Sequence, residues 1–333
     1  DKYLQPKDGK QTLITNAKGG VLSVIKVNKL SKNGKDIKLS IDQRIQNLTY
    51  QALKEKVLEV KAESGSAVVL DPNTGEILAA VSYPSFDPND RSARVGDAIR
   101  NRALTDRFEP GSTMKPFIIA AGLENKVITP DTIIDTRPGY YYIGRNRIKD
   151  DSNYGKLTPA EIIKKSSNIG ASKIALMLPK EKLYSFLNSV GFGQPTGARF
   201  PAETKGYLPD LSRLGDFSYA TISFGYGLSS SCLQLARAFS VFANGGKLYP
   251  ASFLKLNYKP KGISVLPANI ALDVRQMLYG VTSREGTGLL ANIPGFDVAG
   301  KTGTAHQLKN GKYQNTYNAV FAGIAPLKNP KIV

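Results

Sequence analysis

The strand-like segments of this chain lie towards its two ends, and that separation constrains the fold more than any other feature of the sequence. Residues 66–70 and 77–81 are short apolar runs around Asp71-Pro72-Asn73-Thr74-Gly75, with Pro and Gly placed as a hairpin turn requires. The other sheet-like runs, 298–304 and 318–324, come near the far end of the chain. Most of what lies between reads as helical, so the sheet has to be closed by strands distant in sequence. The expected architecture is α/β (α+β), an antiparallel sheet flanked by helices with a helical lobe.

Local signals add detail. Asp42 is placed to cap a helix carrying Ile45, Leu48, Leu53, Val57 and Leu58 on one stripe. Residues 84–106 are polar and irregular. Residues 116–190 are largely helical in pattern, broken at Pro130, Pro138-Gly139, Pro159 and Pro179, and a further helix from Cys232 to Asn244 ends at Gly245-Gly246. Residues 1–38 carry turn signals between short β-like runs and are read as the end of a neighbouring module.

The chain has 45 Lys and Arg against 27 Asp and Glu, a formal charge of +18 over 333 residues. Such a balance suits a nucleic-acid binder. The bases are scattered, however, and no nucleic-acid-binding signature accompanies them, so an anionic polymer or membrane surface fits equally. One cysteine, Cys232, excludes an internal disulfide, and one histidine, His306, excludes a histidine-based zinc site. No apolar run reaches the roughly 18–20 residues of a membrane helix. With no leader at its start either, the chain is read as a soluble protein or an excised ectodomain.

Three short motifs carry chemistry. Ser112-Thr113-Met114-Lys115 is an S-x-x-K that follows Glu109-Pro110-Gly111 and opens an apolar run, so serine and lysine share one face at a helix start. Ser23–Lys26 and Ser252–Lys255 match the same pattern, but in β-like runs, where positions i and i+3 face apart. A serine hydroxyl needs a base. His306 has no marked carboxylate partner, whereas a lysine serves if burial or a second cation lowers its pKa. The plain alternative is a capping serine with an exposed lysine one turn on. Ser166-Ser167-Asn168 is an S-x-N, readable as a cap, or as a hydroxyl relay with an amide that holds a peptide carbonyl. Ser31-Lys32-Asn33 matches it too. Lys301-Thr302-Gly303-Thr304 lies on an expected strand. Its lysine and hydroxyls suit a carboxylate, and Gly303 lets the backbone approach a ligand closely.

In this order, the three motifs resemble those of the serine acyl-transferases that react with penicillin. More closely, the chain is similar to class B penicillin-binding proteins of the division type (FtsI-like). Leu39-Ser40-Ile41-Asp42, Arg100-Asn101-Arg102, residues 106–116, residues 165–170, Phe224-Gly225-Tyr226-Gly227 and Leu233-Gln234-Leu235-Ala236-Arg237 carry the likeness. It divides the chain into 1–38, the end of a non-catalytic pedestal, and 39–333, a transpeptidase domain incomplete at its C-terminus.

The resemblance implies a peptidoglycan D,D-transpeptidase of septal wall synthesis. Ser112 would be the nucleophile and Lys115 its base, with Ser166 and Lys301 relaying the proton. Asn168 would hold the acyl chain's amide. Thr302 and Thr304 would bind the terminal carboxylate beside Gly303, and the N–H groups of Ser112 and Thr304 would form the oxyanion hole. No metal or other cofactor is implied. The implied partners are peptidoglycan stem peptides, β-lactams, and by resemblance a septal glycan polymerase and division proteins, at the periplasmic face of the inner membrane and without nucleic acid. Ser231-Cys232 stand where the family commonly has Thr-Pro, which would loosen that helix start. Cys232 reads as a packed small residue, and His306 as either a pocket rim or a surface histidine. A serine β-lactamase, a β-lactam-sensing domain and a D,D-carboxypeptidase share these motifs and remain open.

Overall fold

Asp42 starts the first helix of the domain as its position requires, Oδ1 accepting the N–H groups of Arg44 and Ile45 at 2.9 and 3.2 Å ahead of helix Gln43–Glu59. In the computed structural model, which describes residues 4–309 and 311–333, this helix lies against the antiparallel hairpin Gly65–Leu70/Ile77–Tyr83. The Gln46 side-chain amide binds the N–H and C=O of Ala80 at 2.9 and 3.1 Å and fixes the helix to the strand. Ile77, Ala79 and Val81 alternate inward.

The second long hairpin, Ala299–Lys309/Lys312–Ile324, pairs Ala299 with Ile324 through Thr304 with Ala319. Val333 exchanges both backbone hydrogen bonds with Leu70, at 2.8 and 3.0 Å, while Ile332 bridges Ala325. The last residues of the chain thus reach the first hairpin, while among the described residues each of the two hairpins is a separate two-stranded sheet.

Helix Lys115–Glu124 runs through the helical lobe and is apolar nearly all round, the pattern of a helix enclosed by others. Phe117, wholly buried, meets Phe192, Phe239 and Phe242 with ring centroids 5.2, 5.3 and 5.0 Å away. Helix Cys232–Ala243 has no proline at its start, but the Ser231 hydroxyl caps it by accepting the Gln234 N–H at 3.1 Å.

One expectation fails. Between residues 134 and 157 the chain forms paired short strands, Ile134–Asp135 with Lys156–Leu157 and Tyr140–Ile143 with Asn146–Lys149. Three consecutive tyrosines and an isoleucine favour a pleated surface, and Gly144, at φ +58°, closes the turn.

The chain divides into two compact units, residues 1–39 and 40–333. In the first, hairpin Lys10–Thr15/Val21–Lys29 turns around Asn16, whose Oδ1 accepts the N–H groups of Lys18 and Gly20. Among the described residues no helix is long and apolar enough to cross a membrane.

Candidate active site

The sequence Glu109-Pro110-Gly111-Ser112 makes a tight entry into the central helix. Residues Gly111–Met114 form a 3₁₀ turn that runs directly into Lys115–Glu124. Side chains three apart eclipse in such a turn, so Ser112 and Lys115 stack more closely than a regular α-helix would place them. Gly111, at φ +58°, donates its N–H to Gly225 at 3.3 Å, and a Cβ on Gly225 would lie 2.1 Å from the Gly111 carbonyl oxygen. The Phe224–Gly227 run therefore supplies the bare backbone against which the nucleophile turn is pressed.

Lys115 is wholly buried, and its Nζ lies 2.6 Å from Ser112 Oγ, 2.6 Å from the Ser166 carbonyl oxygen, 3.1 Å from Ser166 Oγ and 2.8 Å from Asn168 Oδ1. These four neighbours share three positions on the nitrogen, three N–H groups in an ammonium or two N–H groups and a lone pair in a neutral amine. A neutral amine fits them well. It donates to the two pure acceptors, the Ser166 carbonyl and Asn168 Oδ1, and turns its lone pair to the Ser112 hydroxyl. Burial first, then the positive charge of Lys301, pushes Lys115 well below the ordinary lysine range, against the smaller opposing pull of Asp150 and Asp151. Lys301, also wholly buried, reaches Ser166 Oγ at 3.0 Å, and burial brings it down to about 7.

Ser166 stands between the two amines in a left-handed conformation, φ 59° and ψ 38°, directly after helix Pro159–Lys165. A non-glycine residue holds that conformation at a cost, here offset by the contacts its carbonyl and hydroxyl make with the amines. Asn168 donates Nδ2–H to the Lys149 carbonyl at 3.1 Å, which leaves its second amide hydrogen available to a ligand.

On strand Ala299–Lys309, Lys301 and Gly303 are buried, while Thr302, Gly303, Thr304 and His306 line the cleft. A Cβ on Gly303 would stand 2.8 Å from the Pro110 carbonyl oxygen, so strand and nucleophile turn pack as closely as glycine allows. The five residues Ser112, Lys115, Ser166, Asn168 and Lys301 form one connected network, and the Thr302–Thr304 strand borders it. Of the two decoys, Ser23 and Lys26 lie on extended strand Val21–Lys29, and Lys255 pairs with Glu76.

Two carboxyls escaped the sequence reading. Asp150 Oδ1 accepts the N–H groups of Asn168 and Ile169 at 2.5 and 3.0 Å, and Oδ2 accepts the Ser167 hydroxyl at 2.5 Å. It thereby anchors the start of helix Asn168–Met177. Glu109 Oε1 accepts the Gly227 N–H at 2.8 Å and the Tyr313 hydroxyl at 3.1 Å, whereas its buried Oε2 has no partner among the described residues. Burial raises the Glu109 carboxyl's affinity for a proton. Only the position of Glu109, three residues before Ser112, hinted at a role. Thr287, whose hydroxyl lies 2.9 Å from that of Thr302, also went unread. His306 sits at the rim, Nδ1 2.8 Å from the Gln314 carbonyl oxygen and its ring 4.4 Å from that of Tyr317.

The cleft measures about 1320 Å³ and extends from Ser112 past Leu214, Phe217 and Phe224. Its mixed apolar and polar lining, with the two amines buried behind Ser112 and Ser166, suits acyl transfer from a peptide.

Comparison with known proteins bears on this site. The model of the penicillin binding protein transpeptidase domain matches residues 65–333. The chain is 42% identical over 333 residues to the probable peptidoglycan D,D-transpeptidase PenA of Neisseria flavescens, covering 99% of this chain and 83% of that protein. It is 39% identical over 332 residues to the peptidoglycan D,D-transpeptidase FtsI of Escherichia coli K12, covering 99% of this chain but 56% of that protein. The apo structure of the TP domain of Burkholderia pseudomallei penicillin-binding protein 3 superposes with a TM-score of 0.82 at 41% identity, covering 89% of this chain and 86% of that one.

Proposed function

The chain belongs to the penicillin-binding protein transpeptidase family, and from that premise we propose that it cross-links peptidoglycan stem peptides by D-Ala-D-Ala transpeptidation and is acylated by β-lactams at Ser112. The observation that carries this reading is the Lys115 amine, 2.6 Å from Ser112 Oγ and set by its other partners to accept a proton.

Ser112 Oγ attacks the carbonyl carbon between the terminal D-alanines as its proton passes to Lys115. The oxyanion is received by the N–H groups of Ser112 and Thr304. The C–N bond then breaks, and the departing D-Ala amine takes a proton through Ser166, which Lys301 orients. Asn168 holds the acyl chain's amide through its free N–H, and Thr302 and Thr304 bind the terminal carboxylate. An amine of a second stem peptide attacks the ester, gives up a proton along the same relay, and frees Ser112. Likeness to FtsI supports the division-type setting. The partners proposed on that ground are a septal glycan polymerase and division proteins, at the periplasmic face of the inner membrane.

Intact mass spectrometry after incubation with benzylpenicillin tests the reading. One adduct, mapped to Ser112, lasting for hours and absent in Ser112→Ala, is expected. Rapid loss with drug turnover indicates a β-lactamase instead, and no adduct on a folded chain refutes the mechanism.

A further inference from the structure

Hairpin Tyr140–Ile143/Asn146–Lys149 has two contrasting faces. Tyr140 pairs with Lys149, Tyr141 with Ile148, and Tyr142 with Arg147, and directly paired residues share a face. Tyr141 and Ile148 turn inward to Ile169 and Ala220, and Lys173 stands 5.0 Å from the centre of the Tyr141 ring. Since Ile169 adjoins Asn168, this inner face registers the hairpin against the acyl-transfer network. The outer face presents Tyr140 and Tyr142, 45% and 54% exposed, with rings edge to face at 5.8 Å, beside Arg147 and Lys149. Both cations line the outer reach of the cleft, and neither forms an ion pair among the described residues.

Tyr140 and Tyr142 together form a contiguous exposed aromatic patch rimmed by cations, the pattern of an interaction surface. Ring faces accept the C–H surface of a sugar, and the two cations match carboxylates carried on peptides attached to it. We propose that this outer face docks an anionic glycopeptide strand and feeds its peptide into the cleft beside Asn168. The inference rests on the transpeptidase reading, which supplies the polymer; the continuity of the hairpin with the cleft supplies the route.

The test uses co-sedimentation with purified peptidoglycan sacculi, and penicillin labelling as a separate readout. Tyr140→Ser/Tyr142→Ser and Arg147→Ser should each lower retention on sacculi by about tenfold or more, with the arginine's share lost as salt rises. Penicillin labelling of Ser112, which needs no polymer, should stay at the wild-type rate in the tyrosine variant, whose two side chains lie outside the cleft lining, and so report an intact fold. Lys261→Ser removes one exposed charge elsewhere and should leave retention unchanged. Retention unchanged in the hairpin variants, or lowered equally by Lys261→Ser, overturns the docking surface. A wild-type chain that binds sacculi through the hairpin but is never labelled by penicillin refutes the transpeptidase reading alone.

Discussion

Replacing Lys301 by methionine keeps most of the side chain and removes its charge, which separates the two amines' contributions to acylation. Both nitrogens lie within 3.1 Å of Ser166 Oγ, so they are at most about 6 Å apart. Two unit charges at about 6 Å repel by about 3 kcal/mol at an effective dielectric constant of about 20. That is roughly a hundredfold in proton affinity. The burial of Lys115 is unchanged by the substitution, and Asp150 and Asp151 still favour its protonated form. Lys115 should therefore hold its proton to higher pH. Acylation by a fluorescent penicillin, followed by stopped flow from acid to alkaline pH, reads this directly. The rising limb of the rate profile should move about two pH units to the alkaline side in Lys301→Met, while loss of carboxylate binding lowers the plateau without moving the limb. A limb that stays in place, or moves to the acid side, would refute Lys115 as the base that feels Lys301.

The same amine makes stability depend on pH. Lys301 titrates at about 7 in the folded protein against an ordinary 10.5, so between those values the unfolded chain holds a proton the folded one has released. Stability to denaturant should accordingly rise with pH across that window, and Lys301→Met should flatten this part of the slope. Phe117→Ala removes a ring packed on three others and should cost about 3–5 kcal/mol in urea unfolding, with a loss under about 1 kcal/mol counting against that packing. Burial pushes the Cys232 thiol up to about 11 from an ordinary 9.0. Iodoacetamide should then alkylate it about a hundredfold more slowly at pH 8 in the native protein than in the unfolded chain, and equal rates would show a thiol open to solvent.

The parts of this site legible in the sequence are those whose signal is local. Ser112 and Lys115 are three apart in a turn, and Asp42 caps a helix by its own side chain, so spacing alone recovers both. Asp150 could not be found this way. Nothing in Lys149-Asp150-Asp151-Ser152 says which carboxyl is drawn inside, because the hairpin that carries it to the start of helix Asn168–Met177 is a tertiary event. Glu109 is adjacent to the motif, yet its partners Gly227 and Tyr313 lie 118 and 204 residues away. Residues 134–157 fall inside the span 116–190, whose overall pattern reads as helix interrupted at Pro138-Gly139. The tyrosine run and Gly144 turn out to matter more, since only a pleated pair places Tyr141 and Ile148 together on Ile169.

The salt-like crowding of two amines around one serine hydroxyl also has a meaning for how the molecule is counted. Bringing Lys301 to Ser166 joins segments 135 residues apart, a closure that costs on the order of 5 kcal/mol in chain entropy. A chain that has built its helices but not this junction lacks the second cation that helps strip Lys115 of its proton and the Thr304 N–H proposed for the oxyanion, so its serine is far less reactive. Covalent labelling by a β-lactam thus acts as a census of finished topology: in a refolding time course, molecules enter the labelled population when their ends have met, however early their helical signal returned.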